Sequence, residues 1–203
     1  MNNILHIDCS TRAGSHSRTL SAALLQRLLE RTPDARIIRR DLGHQPLDHT
    51  CADYADALAA PGALDGARLA AATALSEQLL GEIEAADALV IGTPMHNFTV
   101  PSVLKAWIDQ ILRVGRSIGM SPEGGKIGLL QDKPVYIGIA SGGVFSGERA
   151  RQPDFLTPYL RAAFACVGLH SLQFFALQGT AFRDETQLTA ERATLLDGMR
   201  IAQ

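Results

Sequence analysis

Short apolar runs alternate along the chain with longer stretches of helical periodicity. The apolar runs predict five strands, at Asn3 to Asp8, Ala35 to Arg39, Ala88 to Gly92, Lys133 to Ala140 and Leu172 to Leu177. The periodic stretches predict five helices, at about Ser17 to Arg31, Ala67 to Ala86, Pro101 to Val114, Thr157 to Val167 and Leu188 to Ile201. This alternation predicts an α/β fold, with a parallel sheet covered by helices on both faces, in a single domain over residues 1–203.

Two long segments interrupt the alternation. Gly43 to Gly66 is marked by proline and glycine, and we expect it to pass over the surface as an irregular excursion. Gly115 to Gly128 is rich in glycine and has no clear period, so its pattern predicts no element. The two segments account for most of the length beyond the core elements.

Composition and charge exclude several classes of protein. Of the 203 residues 46% are hydrophobic and 20% are charged, which suits a globular chain with a sizeable core. Lys plus Arg is 19 and Asp plus Glu is 21, a formal charge of −2, and no basic stripe indicates a nucleic-acid partner. His6 and Asp8 interrupt the apolar run near the start, so neither a signal peptide nor a membrane span is expected there.

The cysteines and histidines predict a cytoplasmic protein without a metal site. The three cysteines, at positions 9, 51 and 166, form no CxxC pair and are best explained as reduced thiols. The histidines are scattered and have no spacing typical of metal ligands.

A loop rich in hydroxyl groups follows the first predicted strand. It reads Cys9-Ser10-Thr11-Arg12-Ala13-Gly14-Ser15-His16-Ser17 and runs into the first helix. Backbone N–H groups and the dipole at a helix N-terminus attract a phosphate, and serine side chains add hydrogen bonds, so the loop predicts an anion site. A simpler interpretation is an ordinary helix capped by serine. The GxGxxG and GxxxxGK[ST] patterns are absent, which disfavours the nucleotide sites that carry them.

Two further loops with unusual chemistry follow later strands. Pro94-Met95-His96-Asn97-Phe98 combines an apolar face, an amide and an aromatic ring, which suit the edge and face of a flat heterocycle. Ser141-Gly142-Gly143-Val144 lets a backbone approach a ligand closely. Each loop alone is also explained as a plain turn. Because the three loops follow strands one, three and four, where α/β sheets bind ligands, together they predict one site.

In these blocks the chain resembles the flavodoxin-like FMN-dependent NADH:azo-compound and quinone oxidoreductases. The resemblance extends from the first strand to the closing helix, and it is carried by Ser10 with residues 13–17, by residues 94–98 running into Pro101-Ser102-Val103-Leu104-Lys105-Ala106-Trp107-Ile108-Asp109, and by residues 141–143. It implies a five-stranded parallel sheet of strand order 2-1-3-4-5. The family commonly has Tyr where His96 stands and an Arg ahead of Gly142, and this chain has neither.

The resemblance also implies a site and a reaction. One non-covalent FMN per subunit is expected, its phosphate held by Ser10, Ser15, His16 and Ser17 and its ring surrounded by Met95, His96, Asn97, Phe98, Ser141, Gly142 and Gly143. Hydride is expected to pass from NADH or NADPH through FMN to quinones and azo compounds, by a ping-pong mechanism that needs no catalytic side chain. A homodimer with the flavin near its interface and small planar acceptors are the expected partners, and the two long segments are expected to wall the pocket and contact the second subunit.

Two other functions fit parts of the pattern. A flavodoxin-type electron carrier is the main alternative, although a net charge of −2 offers little of the strongly acidic docking face such carriers use. A cysteine-dependent phosphatase would use Cys9, but the position in the loop where its arginine is needed, 15, is serine. Trp107 has helical spacing from Leu104 and Ile111, so it is either a core residue or a neighbour of the flavin ring.

Overall fold

The structure, a computed structural model, describes residues 1–60, 62 and 64–201. Its strands are β1 (Asn3–Asp8), β2 (Arg36–Asp41), β3 (Ala88–Pro94), β4 (Ile118–Met120), β5 (Lys126–Gly128), β6 (Val135–Ser141) and β7 (Leu172–Gln178). Its helices are α1 (His16–Leu29), α2 (Ala52–Ala59), α3 (Gly66–Ala85), α4 (Ser102–Ile111), α5 (Thr157–Val167) and α6 (Glu185–Asp197). All five predicted strands and all five predicted helices are present.

Five parallel strands form the central sheet in the order β2-β1-β3-β6-β7. Counted among the strands of this sheet alone, that is the predicted order 2-1-3-4-5, so the flavodoxin-like fold is confirmed. Parallel neighbours need a crossover connection, and the helices between the strands supply it. β1 lies between β2 and β3, in register from Asn3 opposite Arg36 to Asp8 opposite Asp41.

Helices cover both faces of the sheet, and the alternating side chains of the strands bury against them. On one face Leu5 and Ile7 of β1 join a cluster that includes side chains of α3, α4 and α5. On the other face Ile4 joins a cluster that includes side chains of α1 and α6. The inner strands are buried on both sides, which explains why β3 and β6 read as almost unbroken apolar runs.

The segment Gly43 to Gly66 is not wholly irregular, so that expectation is wrong in part. It contains α2, which is fastened to the core by Tyr54, a residue only 2% exposed. The Tyr54 hydroxyl donates to the Gln110 carbonyl at 3.3 Å. Only Tyr54 and Ala57 of this eight-residue helix are buried, and two positions are too few to give a helical period in the sequence.

Gly115 to Gly128, where the pattern predicts no element, contains the antiparallel hairpin β4–β5. Its strands are three residues each, with Gly119 opposite Ile127. Ile127 is exposed, so the hairpin lacks the apolar alternation that marks a longer strand.

The closing helix begins and ends earlier than predicted. A capping box fixes its start: the Asp184 carboxylate accepts the Gln187 N–H at 2.8 Å, and the Gln187 side chain accepts the Asp184 N–H at 3.3 Å. The helix therefore starts at Glu185 rather than at Leu188, and it ends at Asp197. Among the described helices, none combines the length and the apolar character needed to cross a bilayer.

Candidate functional site

The carboxyl ends of β1, β3 and β6 lie side by side because these strands are neighbours in the sheet. Main-chain hydrogen bonds continue past the strand ends: the Cys9 N–H donates to the Gly92 carbonyl at 2.9 Å, and the Met95 N–H donates to the Ala140 carbonyl at 2.9 Å. The three loops identified from the sequence therefore meet at the edge where open α/β sheets bind ligands. We call them the anion loop (residues 9–17), the aromatic turn (residues 95–99) and the glycine loop (residues 141–144).

Buried hydroxyl groups line the anion loop. Ser15 is the N-cap of α1, and its Oγ accepts the Ser17 N–H at 3.3 Å and lies 2.9 Å from Ser17 Oγ. Ser10 Oγ accepts the N–H of Arg12 at 3.2 Å. The serine-capped helix of the simpler interpretation is therefore present at Ser15. The cap does not account for the buried hydroxyl of Ser10, and the first turn of α1 has no acidic side chain to oppose an anion.

The aromatic turn is a two-residue turn in an unusual backbone conformation. Both central residues have positive φ, 46° at Asn97 and 73° at Phe98, and the flanking His96 and Thr99 exchange N–H···O bonds of 2.9 and 3.0 Å. Asparagine tolerates such φ values, whereas a residue such as phenylalanine incurs about 1–2 kcal/mol of strain. The Phe98 carbonyl accepts the Phe155 N–H at 3.0 Å, which helps to hold the turn in place. Strain of this kind persists where the surroundings impose it, and it concentrates at ligand sites.

The glycine loop is joined to the aromatic turn through Gln152. Gln152 Nε2 donates to Ser141 Oγ at 3.1 Å and lies 3.3 Å from the Met95 sulfur. Its Oε1 lies so close to Gly143 that a Cβ there would approach it to 2.5 Å. Gly142 beside it is exposed. Sequence reasoning missed Gln152, because a single polar residue in a loop carries no local pattern.

The segment after β7 completes this edge of the sheet. The Thr180 N–H donates to the Ser141 carbonyl at 3.0 Å, and the Gly179 N–H donates to the Gly143 carbonyl at 3.1 Å. In both bonds a carbonyl group of the glycine loop accepts from the segment after β7, and the two bonds fix the backbone of the loop. The loop is therefore a built structure rather than the plain flexible turn of the simpler interpretation.

The two histidines of the predicted site lie in different surroundings. His16 is the first residue of α1, is half-buried, and lies within electrostatic range of the Glu185 carboxylate at the start of α6. His96 is exposed at the mouth of the aromatic turn. His16 is thus placed with the anion loop, and His96 is placed on the solvent-exposed side of the aromatic turn.

Two residues of interest lie in the core and not at the site. Trp107 is fully buried, with its ring centroid 6.3 Å from that of Phe164. Of the two interpretations offered by the sequence, the core residue is therefore the one that the structure supports. Cys9 is 1% exposed, and burial raises the pKa of its thiol far above the ordinary range. A buried thiol with a raised pKa is a poor nucleophile, which further disfavours a phosphatase.

A cleft of about 460 Å³ opens beside the aromatic turn. His96 and Asn97 line it together with Lys105 of α4 and Tyr159 of α5. Burial raises the pKa of Tyr159 to about 12. A larger cavity, of about 740 Å³, lies among residues such as Met1 that precede the strands, at the opposite edge from the three loops. We place the site at the edge formed by the three loops, which the smaller cleft adjoins through the aromatic turn, because ligands bind beyond the carboxyl ends of parallel strands.

The residues at this edge fit FMN. A helix N-terminus with buried serine hydroxyls suits a phosphate. The half-exposed ring of Phe98 and the exposed backbone of Gly142 lie at the same edge of the sheet. They offer the flat contact surface that a tricyclic ring requires. No acidic side chain belongs to the anion loop or to the first turn of α1, both described in full.

Comparison with known proteins agrees with this geometry. Residues 2–197 match the protein family described as having a flavodoxin-like fold. The chain belongs to this flavodoxin-like family. The family match covers the chain from β1 to α6, so it includes all three site loops.

Curated proteins similar in sequence to this chain include enzymes. The chain is 50% identical over 196 residues to "FMN-dependent NADH:quinone oxidoreductase 4" of Pseudomonas fluorescens, covering 96% of this chain and 91% of that one. It is 42% identical to "FMN-dependent NADH:quinone oxidoreductase 5" of Burkholderia lata, covering 100% and 97%. Among solved structures, an azoreductase from Bacillus anthracis superposes with a TM-score of 0.84 at 26% identity, covering 97% and 98%. The predicted resemblance to this group of flavodoxin-like oxidoreductases is confirmed.

Proposed function

We propose that this protein is an FMN-dependent oxidoreductase that passes hydride from NADH, through bound FMN, to quinones and to azo compounds. One observation carries the proposal: the anion loop, the aromatic turn and the glycine loop meet at a single edge of the sheet, at the ends of β1, β3 and β6. Relatives named as NADH:quinone oxidoreductases that align over nearly the whole chain support the same reaction. FMN supplies the redox chemistry when bound, by accepting hydride and delivering electrons to an acceptor.

The protein's own residues bind and orient. Ser10, Ser15, His16 and Ser17 bind the phosphate, while Met95, His96, Asn97, Phe98, Ser141, Gly142 and Gly143 surround the ring. The Asn97 amide both donates and accepts, as a pyrimidine-dione edge requires. The N–H groups of Gly142 and Gly143 stabilise negative charge at that end of the ring in a backbone fixed from behind by Thr180 and Gly179. No side chain is required as a general acid or base.

Several finer features belong to the same proposal. The donor and the acceptor use the same open cleft in turn, which gives ping-pong kinetics, and azo compounds are cleaved to aromatic amines. NADPH is a second donor to be tested beside NADH. The chain forms one domain and works in the cytoplasm, where its free cysteines stay reduced.

The active form is a homodimer with the flavin near the interface. Exposed aromatic side chains beside the site support this: Phe98 is 44% and Phe155 is 60% exposed, and their backbones are hydrogen-bonded to each other. Apolar surface gathered beside a site is typical of an interface. Sedimentation at micromolar concentration tests the proposal, and a monomer in the presence of FMN would contradict it.

The central experiment is reconstitution followed by anaerobic rapid mixing. We expect the purified protein to take up FMN, to show a flavin absorbance band, and to lose that band on mixing with NADH. Addition of a quinone or an azo dye should restore the band, and steady-state assays with both nicotinamides and both acceptors define the preferences. A protein that takes up no FMN would refute the proposal. FMN uptake without reduction by NADH would favour the flavodoxin-type electron carrier.

A further inference from the structure

Arg18, in the first turn of α1, holds the backbone of the anion loop from outside it. Its Nε and Nη2 both donate to the Ser10 carbonyl oxygen, at 2.9 and 2.5 Å. Its Nη1 and Nη2 donate to the two carboxylate oxygens of Asp41, also at 2.9 and 2.5 Å. Only the planar fork of a guanidinium reaches a carbonyl and a carboxylate in this way at once, and the single ammonium group of a lysine does not.

Gly43 closes the other side of the same carbonyl. A Cβ at this position would overlap the Ser10 carbonyl oxygen and would lie 2.8 Å from Arg18 Nη2. The Gly43 N–H donates to the Asp8 carbonyl at 3.1 Å, which fixes the glycine at the end of β1. The Ser10 carbonyl is therefore clamped between a guanidinium and the backbone of a glycine.

The clamp sets the direction of the groups at the start of the anion loop. No peptide bond in the described residues is cis, so the N–H of Thr11 points away from Arg18, opposite to the Ser10 carbonyl. The Ser10 side chain, fixed through the same residue, accepts the Arg12 N–H at 3.2 Å. Rotation of the Ser10–Thr11 peptide would redirect the N–H donor of Thr11.

Arg18 is anchored by polar groups beneath the loop. Its Nη1 lies 3.6 Å from Asp8 Oδ2, and Asp8 Oδ1 accepts a hydrogen bond from Ser21 Oγ at 2.8 Å. His6 Nε2 lies 3.1 Å from the same Ser21 oxygen. The Arg18 and Asp8 side chains are only 14% and 16% exposed, so salt screens this arrangement weakly.

We propose that Arg18, backed by Gly43, is a positioning residue that makes the anion loop selective for a flavin carrying a phosphate. This inference rests on the proposed FMN site, and Arg18 acts there through Ser10. Four of the five N–H groups of its guanidinium are already used on Ser10 and Asp41, so its role is to hold the loop rather than to contact the phosphate.

The test compares FMN with riboflavin, which has the same ring and no phosphate. Dissociation constants for both are measured by flavin fluorescence on the wild-type protein and on Arg18→Ala. We expect Arg18→Ala to weaken FMN binding about 10- to 100-fold, the effect of losing a charge-assisted hydrogen bond, and to change riboflavin binding about twofold at most. A purely structural role would weaken the binding of both flavins by the same factor.

Arg40→Ala is the matched control. The Arg40 guanidinium forms an ion pair with Glu82 at similar burial, 18% and 15% exposed, and it does not touch the anion loop. This variant should keep the wild-type ratio of FMN to riboflavin affinity even where its melting temperature falls. If Arg18→Ala and Arg40→Ala change the ratio equally, the inference is wrong.

Two more variants separate positioning from charge and from misfolding. Arg18→Lys keeps the positive charge but not the fork, so we expect it to lose phosphate selectivity as Arg18→Ala does; full recovery would mean that charge alone acts and would overturn the inference. Gly43→Ala keeps the Arg18 side chain but presses on both the Ser10 carbonyl and Arg18 Nη2, and it should lower the ratio as well. Circular dichroism verifies that each variant is folded. A wild-type protein that binds neither flavin would refute the proposed function, whereas an Arg18→Ala variant that keeps the wild-type ratio of FMN to riboflavin affinity would refute this inference alone.

Discussion

Gln152→Ala removes the side chain that joins the glycine loop to the aromatic turn. The variant loses the hydrogen bond of 3.1 Å to Ser141 Oγ, and it leaves the hydroxyl of Ser141, a residue 3% exposed, with its weak contact to the Met95 sulfur at 3.8 Å. A neutral hydrogen bond contributes about 1 kcal/mol, and a buried polar group left unpaired costs about 1–3 kcal/mol. In a chain of this size we therefore expect the melting temperature to fall by about 2–10 °C.

Calorimetry with and without FMN measures both consequences of this change. Because Gln152 also packs against Gly143, the variant should bind FMN more weakly, and its melting temperature should rise less than that of the wild type at the same FMN concentration. Arg151→Ala is the control, since the neighbouring Arg151 is exposed and its Nη1 donates to the adjacent Ala150 carbonyl, at 3.1 Å. If Gln152→Ala has the same melting temperature as Arg151→Ala, and FMN raises both melting temperatures equally, Gln152 does not support the site.

Other changes test other parts of the structure. Asn97→Ala should raise the dissociation constant of FMN about tenfold, since it removes one or two neutral hydrogen bonds, and unchanged fluorescence titrations would remove Asn97 from the site. The hydrogen bond from Arg18 holds the pKa of Asp41 well below its usual range. As pH falls, the Asp41 carboxylate is therefore protonated in the unfolded chain before it is protonated in the folded protein. The stabilisation that Asp41 gives to the folded state is present above about pH 4 and is lost as pH falls through the folded-state pKa. Urea midpoints from pH 6 down to pH 3 should show this loss in the wild type, and a smaller one in Asp41→Asn. A thiol reagent should modify exposed Cys51 in the native protein and reach Cys9 only on unfolding, because Cys9 is buried and burial raises the pKa of its thiol. Reaction of Cys9 in the native protein would contradict the packing around β1.

The sequence predicts the sheet well because its signal is strong there. The inner strands are buried on both faces and need apolar runs, which Ala88 to Gly92 and Lys133 to Ala140 supply. The three site loops were recognised from hydroxyl, aromatic and glycine residues that follow these runs. Whether the three loops meet at one edge depends on the order of the strands in the sheet. The family resemblance predicts this order more directly than the hydrophobic pattern does.

The sequence does not predict contacts between residues far apart in the chain. Gln152 and Arg18 are ordinary polar residues by local pattern, and their roles come from partners brought close by the fold. The helix α2 is missed because two of its residues are buried, Tyr54 and Ala57, and two positions give no amphipathic period. The start of α6 had a readable signal in the Asp184 to Gln187 capping box, which the periodicity alone did not use.

The strand order β2-β1-β3-β6-β7 also constrains when the protein folds during synthesis. β1 is an inner strand that pairs early with β2, but its hydrogen bonds to β3 wait until residue 94 has left the ribosome, and β3 in turn waits for β6. Such non-local pairing is slow to form and leaves apolar edges open in the meantime. Since the glycine loop follows β6 and is fixed by Gly179 and Thr180 after β7, the complete cofactor site exists only after about nine tenths of the chain has been made. A ligand that binds only this finished site would stabilise the folded chain and not a partly synthesised one.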